Sequence, residues 1–229
     1  MQARSRKQNR MQRNLTVFEF ITLFVILPAA VSLTDMPFYV VFMPMFAAFA
    51  YAVWWLFYVQ KMHWEDFWRS HPPAIEKKQL RFILQRFLVC SFLLLGLLLL
   101  LYPGNFLNFP RQYPLFFLFF IVLYPVLSVL PQELLYRTFF FKRYRLIFRQ
   151  PVSMIMASTL SFGFLHIIFH NYLAILLTLV GGYFFSRTYK ITRSLYLVCF
   201  EHSLYGLLVF ALGFGGFFIR GLKEAGLVL

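Results

Sequence analysis

Seven apolar runs dominate this sequence, and several of them are 17 residues or longer, which is enough for a helix that crosses a membrane. None of the runs alternates between apolar and polar residues with a period of two, so helices are favoured over the strands of a membrane barrel. The runs comprise residues 17–33, 36–59, 82–102, 114–136, 152–168, 172–186 and 194–218. The sequence therefore predicts an all-α polytopic membrane protein, a bundle of about seven transmembrane helices.

The composition excludes a soluble domain of this length. Hydrophobic residues make up 61% of the 229 residues and charged residues only 13%, whereas a soluble domain has about 25% charged residues. Cys90 and Cys199 lie inside apolar runs, and their spacing indicates neither a redox motif nor a metal site. We expect a basic cytoplasmic arm at residues 1–16, a transmembrane domain at residues 17–218 and a short C-terminal tail at residues 219–229.

The distribution of Lys and Arg predicts how the chain is oriented. Nineteen of these side chains fall in the N-terminal arm and the connections on the same side, and three fall on the other side. Because basic side chains accumulate on the cytoplasmic side of a membrane, we expect the N-terminus in the cytoplasm and the C-terminus on the opposite side. The same bias explains the net charge of +14, so we expect lipid bilayer and no nucleic acid as a partner. The predicted location is the cell membrane, as a multi-pass protein of the bacterial inner membrane.

A few ionisable residues interrupt the later runs, and in a bilayer such residues are costly and usually functional. They form three pairs along the chain, Glu133 with Arg137, His166 with His170, and Glu201 with His202.

The spacing of the pairs allows more than one interpretation. Glu133 and Arg137 lie on one helix face and can form an ion pair, which either serves the chemistry or holds two helices together. His166 and His170 also share a face, either as hydrogen-bonded interior histidines or as metal ligands. Adjacent helical positions diverge by about 100°, so only one of Glu201 and His202 can face a common site. Together, a carboxylate, an arginine and imidazoles on three late helices could activate water for amide hydrolysis in the membrane.

Three motifs in this part of the chain resemble a known family of intramembrane proteases. The motifs are Gln132-Glu133-x-x-x-Arg137, then Phe162-x-x-x-His166, then His202-x-x-x-Gly206. Their order and spacing, over residues 114–218, are similar to those of the CAAX protease and bacteriocin-processing family, also called CPBP or Abi. The family usually has Glu-Glu-x-x-x-Arg in the first motif and His-x-x-x-Asn in the third.

The resemblance implies an intramembrane endopeptidase whose substrate is a peptide or protein in or at the membrane. By that resemblance, a motif-one glutamate and His166 activate water, while His202 and an asparagine hold the oxyanion. The implied catalytic residues are therefore Glu133, Arg137, His166 and His202, with Gln132, His170 and Glu201 as neighbours that contact them or the substrate. No cofactor is firmly implied, but the resemblance leaves open a zinc ion held by Glu133, His166 and His202.

Two positions depart from the family pattern. Gln132 stands where the usual water-activating glutamate belongs, and glutamine cannot act as a general base. Gly206 stands where a side-chain donor is expected. Either Glu133 takes over the role of base, or the protein is an inactive relative that serves as a membrane scaffold or regulator. A small transporter with buried relay groups is a further alternative.

Overall fold

The computed structural model describes residues 2–34, 38–68 and 73–218, and in these residues the regular structure is entirely helical. The predicted C-terminal tail and the first two residues of the second predicted run lie outside the described residues. Five helical segments are long and apolar enough to cross a membrane, namely Arg10–Ser32, Ile75–Leu101, Pro114–Arg143, Pro151–Phe169 and Leu195–Leu212. The prediction of an all-α polytopic membrane protein is confirmed.

The first half of the chain provides five helices. Helix α1 starts at Gln2–Ile21 and continues through a π-helical turn, Thr22–Ile26, to Leu27–Ser32, while α2 is Phe38–Trp54 with a π-helical turn at Trp55–Val59. The remaining three are the short α3, the long α4 and the short α5, which span Trp64–Trp68, Pro73–Leu101 and Asn108–Gln112 respectively.

The second half contains the helices that carry the three motifs. Helix α6 begins at Pro114–Tyr124 and ends at Phe140–Arg143, and two π-helical turns, Pro125–Val129 and Leu134–Phe139, flank its central segment Leu130–Glu133. Helix α7 is Pro151–Leu165, followed by a 3₁₀ turn at His166–Phe169. The last two helices are α8 and α9, which span Tyr172–Thr192 and Leu195–Leu212, and a 3₁₀ turn at Phe214–Phe218 follows α9.

The seven predicted runs agree with these helices in order but differ in their ends and in their apolar length. The fourth run was predicted to end at Tyr136, whereas α6 continues for seven residues, because Arg137 is paired within the protein and the apolar residues after it stay buried. The second run yields the shorter apolar segment Met43–Val59. Helix α8, from the sixth run, is outside the five long segments, since Arg187 and Lys190 dilute its apolar character.

Helices α7 and α8 form a tightly packed antiparallel pair. The side chain of Asn171 caps the start of α8 by accepting hydrogen bonds from the backbone N–H groups of Leu173 and Ala174, at 2.9 and 3.1 Å. A Cβ atom at Gly182 would lie 3.0 Å from the ring of Phe162, so a glycine there allows the two helices to approach closely. The pair holds the second motif in place against the core.

A carboxylate on α1 ties three helices together at the end of α6. Glu19 accepts hydrogen bonds from Arg143 at 2.5 Å, from the hydroxyl of Tyr144 at 2.9 Å and from the hydroxyl of Tyr51 at 3.1 Å. Burial, together with the nearby Glu19 carboxylate, raises the pKa of Tyr144, so that its phenol remains a neutral donor. This contact joins α1 and α2 to the end of α6 and will be called the Glu19 clamp.

Candidate active site

The ion pair predicted from the first motif is present and fully buried. Arg137 Nε lies 3.1 Å from Glu133 Oε2, and neither side chain is exposed. The guanidinium also donates to Ser158 Oγ on α7 at 2.8 Å and to the Tyr136 carbonyl at 3.2 Å, and it lies over the ring of Phe162. Arg137 therefore links α6 to α7 while it neutralises Glu133.

The second oxygen of Glu133 binds the histidine of the third motif. His202 Nδ1 lies 2.8 Å from Glu133 Oε1, and no other hydrogen bond between described residues joins two of the three motifs. Because a carboxylate can only accept, Nδ1 carries a proton, and in the neutral tautomer Nε2 is the acceptor. The ring of Phe185 on α8 stacks on His202 at 4.6 Å between centroids, which fixes the orientation of the imidazole.

The histidine of the second motif has its own anchor. His166 lies at the end of α7, where Nδ1 donates to the Phe162 carbonyl at 2.8 Å. This hydrogen bond leaves Nε2 of the neutral imidazole as a base. Phe162 also contacts the ring of His202 edge-on, at 5.6 Å between centroids, so one phenylalanine lies against both histidines.

His166 and His202 line the same cavity, which has a volume of about 700 Å³. Most of the lining is apolar, from α1, α2, α4 and the later helices. The polar part of the lining is small and comes from His166, His202, Tyr124, Tyr136, Ser128, Gln132, Thr178 and Tyr205. Glu133 is absent from the lining, so among the motif residues the imidazoles, and not the carboxylate, face the cavity.

Helix α6 presents four polar residues to this cavity at successive turns, Tyr124, Ser128, Gln132 and Tyr136. Gln132 Nε2 donates to Ser128 Oγ at 2.9 Å, and Gln132 Oε1 is buried without a hydrogen-bond partner among the described residues. A buried acceptor without a partner is costly, so this oxygen is available to a ligand's N–H group.

Two of the predicted neighbours lie elsewhere. Glu201 forms an ion pair with Arg86 on α4, and the guanidinium stacks over Phe184 at 4.0 Å. His170 is exposed, and its Nε2 donates to the Ser32 carbonyl at 2.8 Å. The structure therefore joins Glu133, Arg137 and His202 directly, beside His166 and Gln132. Glu201 interacts electrostatically with Arg137 and Glu133, but its ion-pair partner is Arg86, and His170 is hydrogen-bonded to Ser32.

The arrangement does not fit the zinc ion that the family resemblance leaves open. Within the part of the chain that the structure describes, no group of three or more His, Cys, Asp and Glu side chains is placed to hold a metal. Of the three predicted ligands, Glu133 and His202 bind each other and Glu133 also binds Arg137, so they do not offer a shared open position. No step of a reaction is therefore assigned to a metal.

Residues 114–208 match the model of a family described as type II CAAX prenyl endopeptidase Rce1-like. This part of the chain is similar to the Rce1-like family and will be called the Rce1-like segment. The family resemblance predicted from the three motifs is thereby confirmed. No curated protein and no solved structure matches the chain. The Rce1-like segment covers less than half of the chain, but it runs from the start of α6 into α9 and includes all three motifs.

Sequence reasoning missed three residues around the Rce1-like segment. Tyr124 and Ser128 precede Gln132 at intervals of four, and this polar spacing in an otherwise apolar run was a usable signal. Arg86, near the start of the third predicted run, is not among the predicted site residues, although a buried Glu201 requires a basic partner from another helix.

Proposed function

We propose that this Rce1-like protein is an intramembrane endopeptidase that hydrolyses a peptide bond of a membrane-bound peptide or protein. The observation that carries the proposal is the Glu133–His202 hydrogen bond beside a cavity that His166 also lines. A carboxylate that fixes one imidazole, with a second imidazole in the same space, is a set of groups suited to general acid–base catalysis.

Glu133 acts through His202 in this proposal. Both of its oxygens are engaged, one with His202 and one with Arg137, so the carboxylate reaches the cavity only by way of the imidazole. A carboxylate in this position selects the tautomer and stabilises the imidazolium that forms when Nε2 takes a proton.

His166 is the group proposed to take a proton from water. Its Nδ1–H is held by the Phe162 carbonyl, which leaves Nε2 as the basic atom at the cavity. The apolar lining around it would exclude bulk water and hold the apolar part of a substrate. A hydrolytic water in this space meets two imidazoles and the Gln132 amide.

The test uses the purified protein in liposomes with a fluorogenic peptide that ends in a farnesylated CaaX sequence, a probe chosen from the family description. We expect wild-type hydrolysis and a loss of about 10²–10⁴-fold in kcat for His166→Ala, His202→Ala and Glu133→Gln. His170→Ala is the matched control, because this exposed histidine bonds to the Ser32 carbonyl outside the cavity lining and should keep wild-type kcat.

Two outcomes would contradict the proposal. One is a wild-type protein with no turnover of the peptide under conditions in which it is folded. The other is a His166→Ala variant as active as His170→Ala. Because Glu133 and His202, two of the three candidate zinc ligands, bind each other, we expect the chelator 1,10-phenanthroline to leave hydrolysis unchanged.

A second candidate function is that of a non-catalytic membrane scaffold that binds a peptide segment. Gln132 lines the cavity where the family usually has a glutamate, and Glu133 is fully buried, which favours this alternative. If the protein is a scaffold, we expect the wild type to bind the farnesylated peptide without cleaving it, and Gln132→Glu to create turnover of the peptide.

A further inference from the structure

Gly206 departs from the third motif, and the space that its missing side chain would occupy is filled by a side chain from another helix. A Cβ atom built on Gly206 would lie 2.1 Å from the hydroxyl oxygen of Tyr124 and 2.5 Å from two carbons of its ring. Gly206 is one turn beyond His202 on α9, so a side chain there would reach the same side of the helix as the imidazole. The Tyr124 hydroxyl of α6 occupies that place.

The ring of Tyr124 is held on its apolar sides. It stacks on Phe120 at 5.0 Å and packs against Phe210 of α9 at 5.7 Å between centroids. These contacts leave the hydroxyl directed at His202, with the oxygen 3.4 Å from Nε2. The position of the phenol is therefore fixed by packing and not by a strong hydrogen bond of its own.

The hydroxyl proton is available to a ligand. Since Nδ1 of His202 donates to Glu133, Nε2 is the acceptor and the Tyr124 hydroxyl is the donor in their contact. At 3.4 Å this contact is at the long end for a hydrogen bond, so the proton loses little by turning to a closer acceptor. Tyr124 and His202 both line the cavity, where that acceptor would lie.

We propose that Tyr124 replaces the side chain missing at position 206 and donates a hydrogen bond to the carbonyl oxygen of the peptide held in the cavity. This inference rests on the proposed function, in which a peptide occupies the cavity. The donor comes from α6 instead of α9, but it reaches the place beside His202 that a residue at 206 would otherwise use. The glycine is then a consequence of the tyrosine, because the two side chains cannot share the space.

The first test removes only the hydroxyl. Tyr124→Phe keeps the ring and its packing, and loss of one donor to a developing oxyanion lowers kcat by about 10²–10³-fold. We expect KM for the farnesylated CaaX peptide and the unfolding midpoint to stay near the wild-type values. Tyr113→Phe is the control, since this tyrosine lies at the start of α6 and is 49% exposed. A Tyr124→Phe variant with wild-type kcat would overturn the inference.

The second test moves the hydrogen-bond donor from position 124 to position 206. Gly206→Asn alone should lower the unfolding midpoint, because its Cβ overlaps the Tyr124 hydroxyl, whereas in a Tyr124→Ala background the same substitution has room. We expect Tyr124→Ala/Gly206→Asn to recover kcat by about tenfold or more over Tyr124→Ala, as a restored donor should. The inference would be contradicted if Gly206→Asn lowered the unfolding midpoint equally in both backgrounds, or if the double variant did not recover kcat.

The outcome also separates this inference from the proposed function. If the wild type binds the peptide without turnover, the endopeptidase proposal fails, and Tyr124 is tested by binding instead. Tyr124→Phe should then weaken peptide binding by about fivefold to tenfold, as expected for one lost hydrogen bond. An unchanged dissociation constant would show that the hydroxyl does not touch the peptide. If the wild type neither binds nor cleaves the peptide, the unfolding midpoints alone decide whether Tyr124 holds the place of residue 206.

Discussion

Replacement of Arg137 by methionine tests whether the buried charges hold the site together. Arg137→Met keeps much of the side-chain volume but removes the cation 3.1 Å from Glu133, leaving a fully buried carboxylate with His202 as its partner. It also removes the donor to Ser158, which can still donate to the Tyr136 carbonyl at 2.7 Å. The main cost therefore comes from the uncompensated carboxylate.

The size of the effect follows from the burial of the pair. Removing one partner of a buried ion pair costs about 3–5 kcal/mol of unfolding free energy. For a chain of this length, 1 kcal/mol corresponds to about 2–4 °C in the unfolding midpoint, so Arg137→Met should unfold about 6–20 °C below the wild type.

The measurement is thermal unfolding in detergent micelles, followed by tryptophan fluorescence. Arg145→Ala is the matched control, because this arginine is exposed beyond α6 and its loss should change stability by no more than about 0.5 kcal/mol. Glu133→Gln/Arg137→Met should be more stable than Arg137→Met, since neither buried charge remains. The reasoning is refuted if Arg137→Met and Arg145→Ala have the same unfolding midpoint. It is also refuted if the destabilisation of the double variant equals the sum of the destabilisations of the two single variants.

Three further predictions concern the rest of the fold. A reporter that is fluorescent only in the cytoplasm should give a signal when fused to the N-terminus and none at the C-terminus, and a signal at both ends would contradict the charge-based orientation. Arg86→Met should lower the unfolding midpoint about as much as Arg137→Met, because Glu201 is fully buried, and a loss no larger than that of exposed Arg81→Ala would contradict this. Asn171→Ala should cost about 1 kcal/mol by uncapping α8, measured by the same unfolding assay, and a midpoint equal to the wild type would show that the cap is dispensable.

Local spacing allowed part of the site to be predicted from the sequence. The i, i+4 pairing of Glu133 with Arg137 follows from helix geometry alone, and it is present. The divergence of Glu201 and His202 also follows from adjacent helical positions, and the two side chains do face different helices. Both inferences needed only a continuous helix around the residues concerned.

The sequence could not predict contacts that depend on where a helix ends or which helix is adjacent. His170 was placed on the face of His166, but α7 ends at Leu165 and His170 has a left-handed backbone with φ of 53°. The spacing of Tyr124 from Ser128 and Gln132 is visible in the sequence, but the approach of Tyr124 to Gly206, far along the chain, is not. Such long-range contacts depend on the packing of α6 against α9.

The Glu19 clamp has a consequence for the order in which the membrane helices become secured. Arg143 lies 124 residues after Glu19, which takes about 6–25 s to synthesise at roughly 5–20 residues per second. During that interval α1 carries a carboxylate whose arginine does not yet exist, with Tyr51 as the one clamp donor already made. Helix α1 is thus fastened by this clamp only after the whole of α6 has been made. A nascent chain that stops before the end of α6 would leave α1 loosely held and exposed to membrane quality-control proteases.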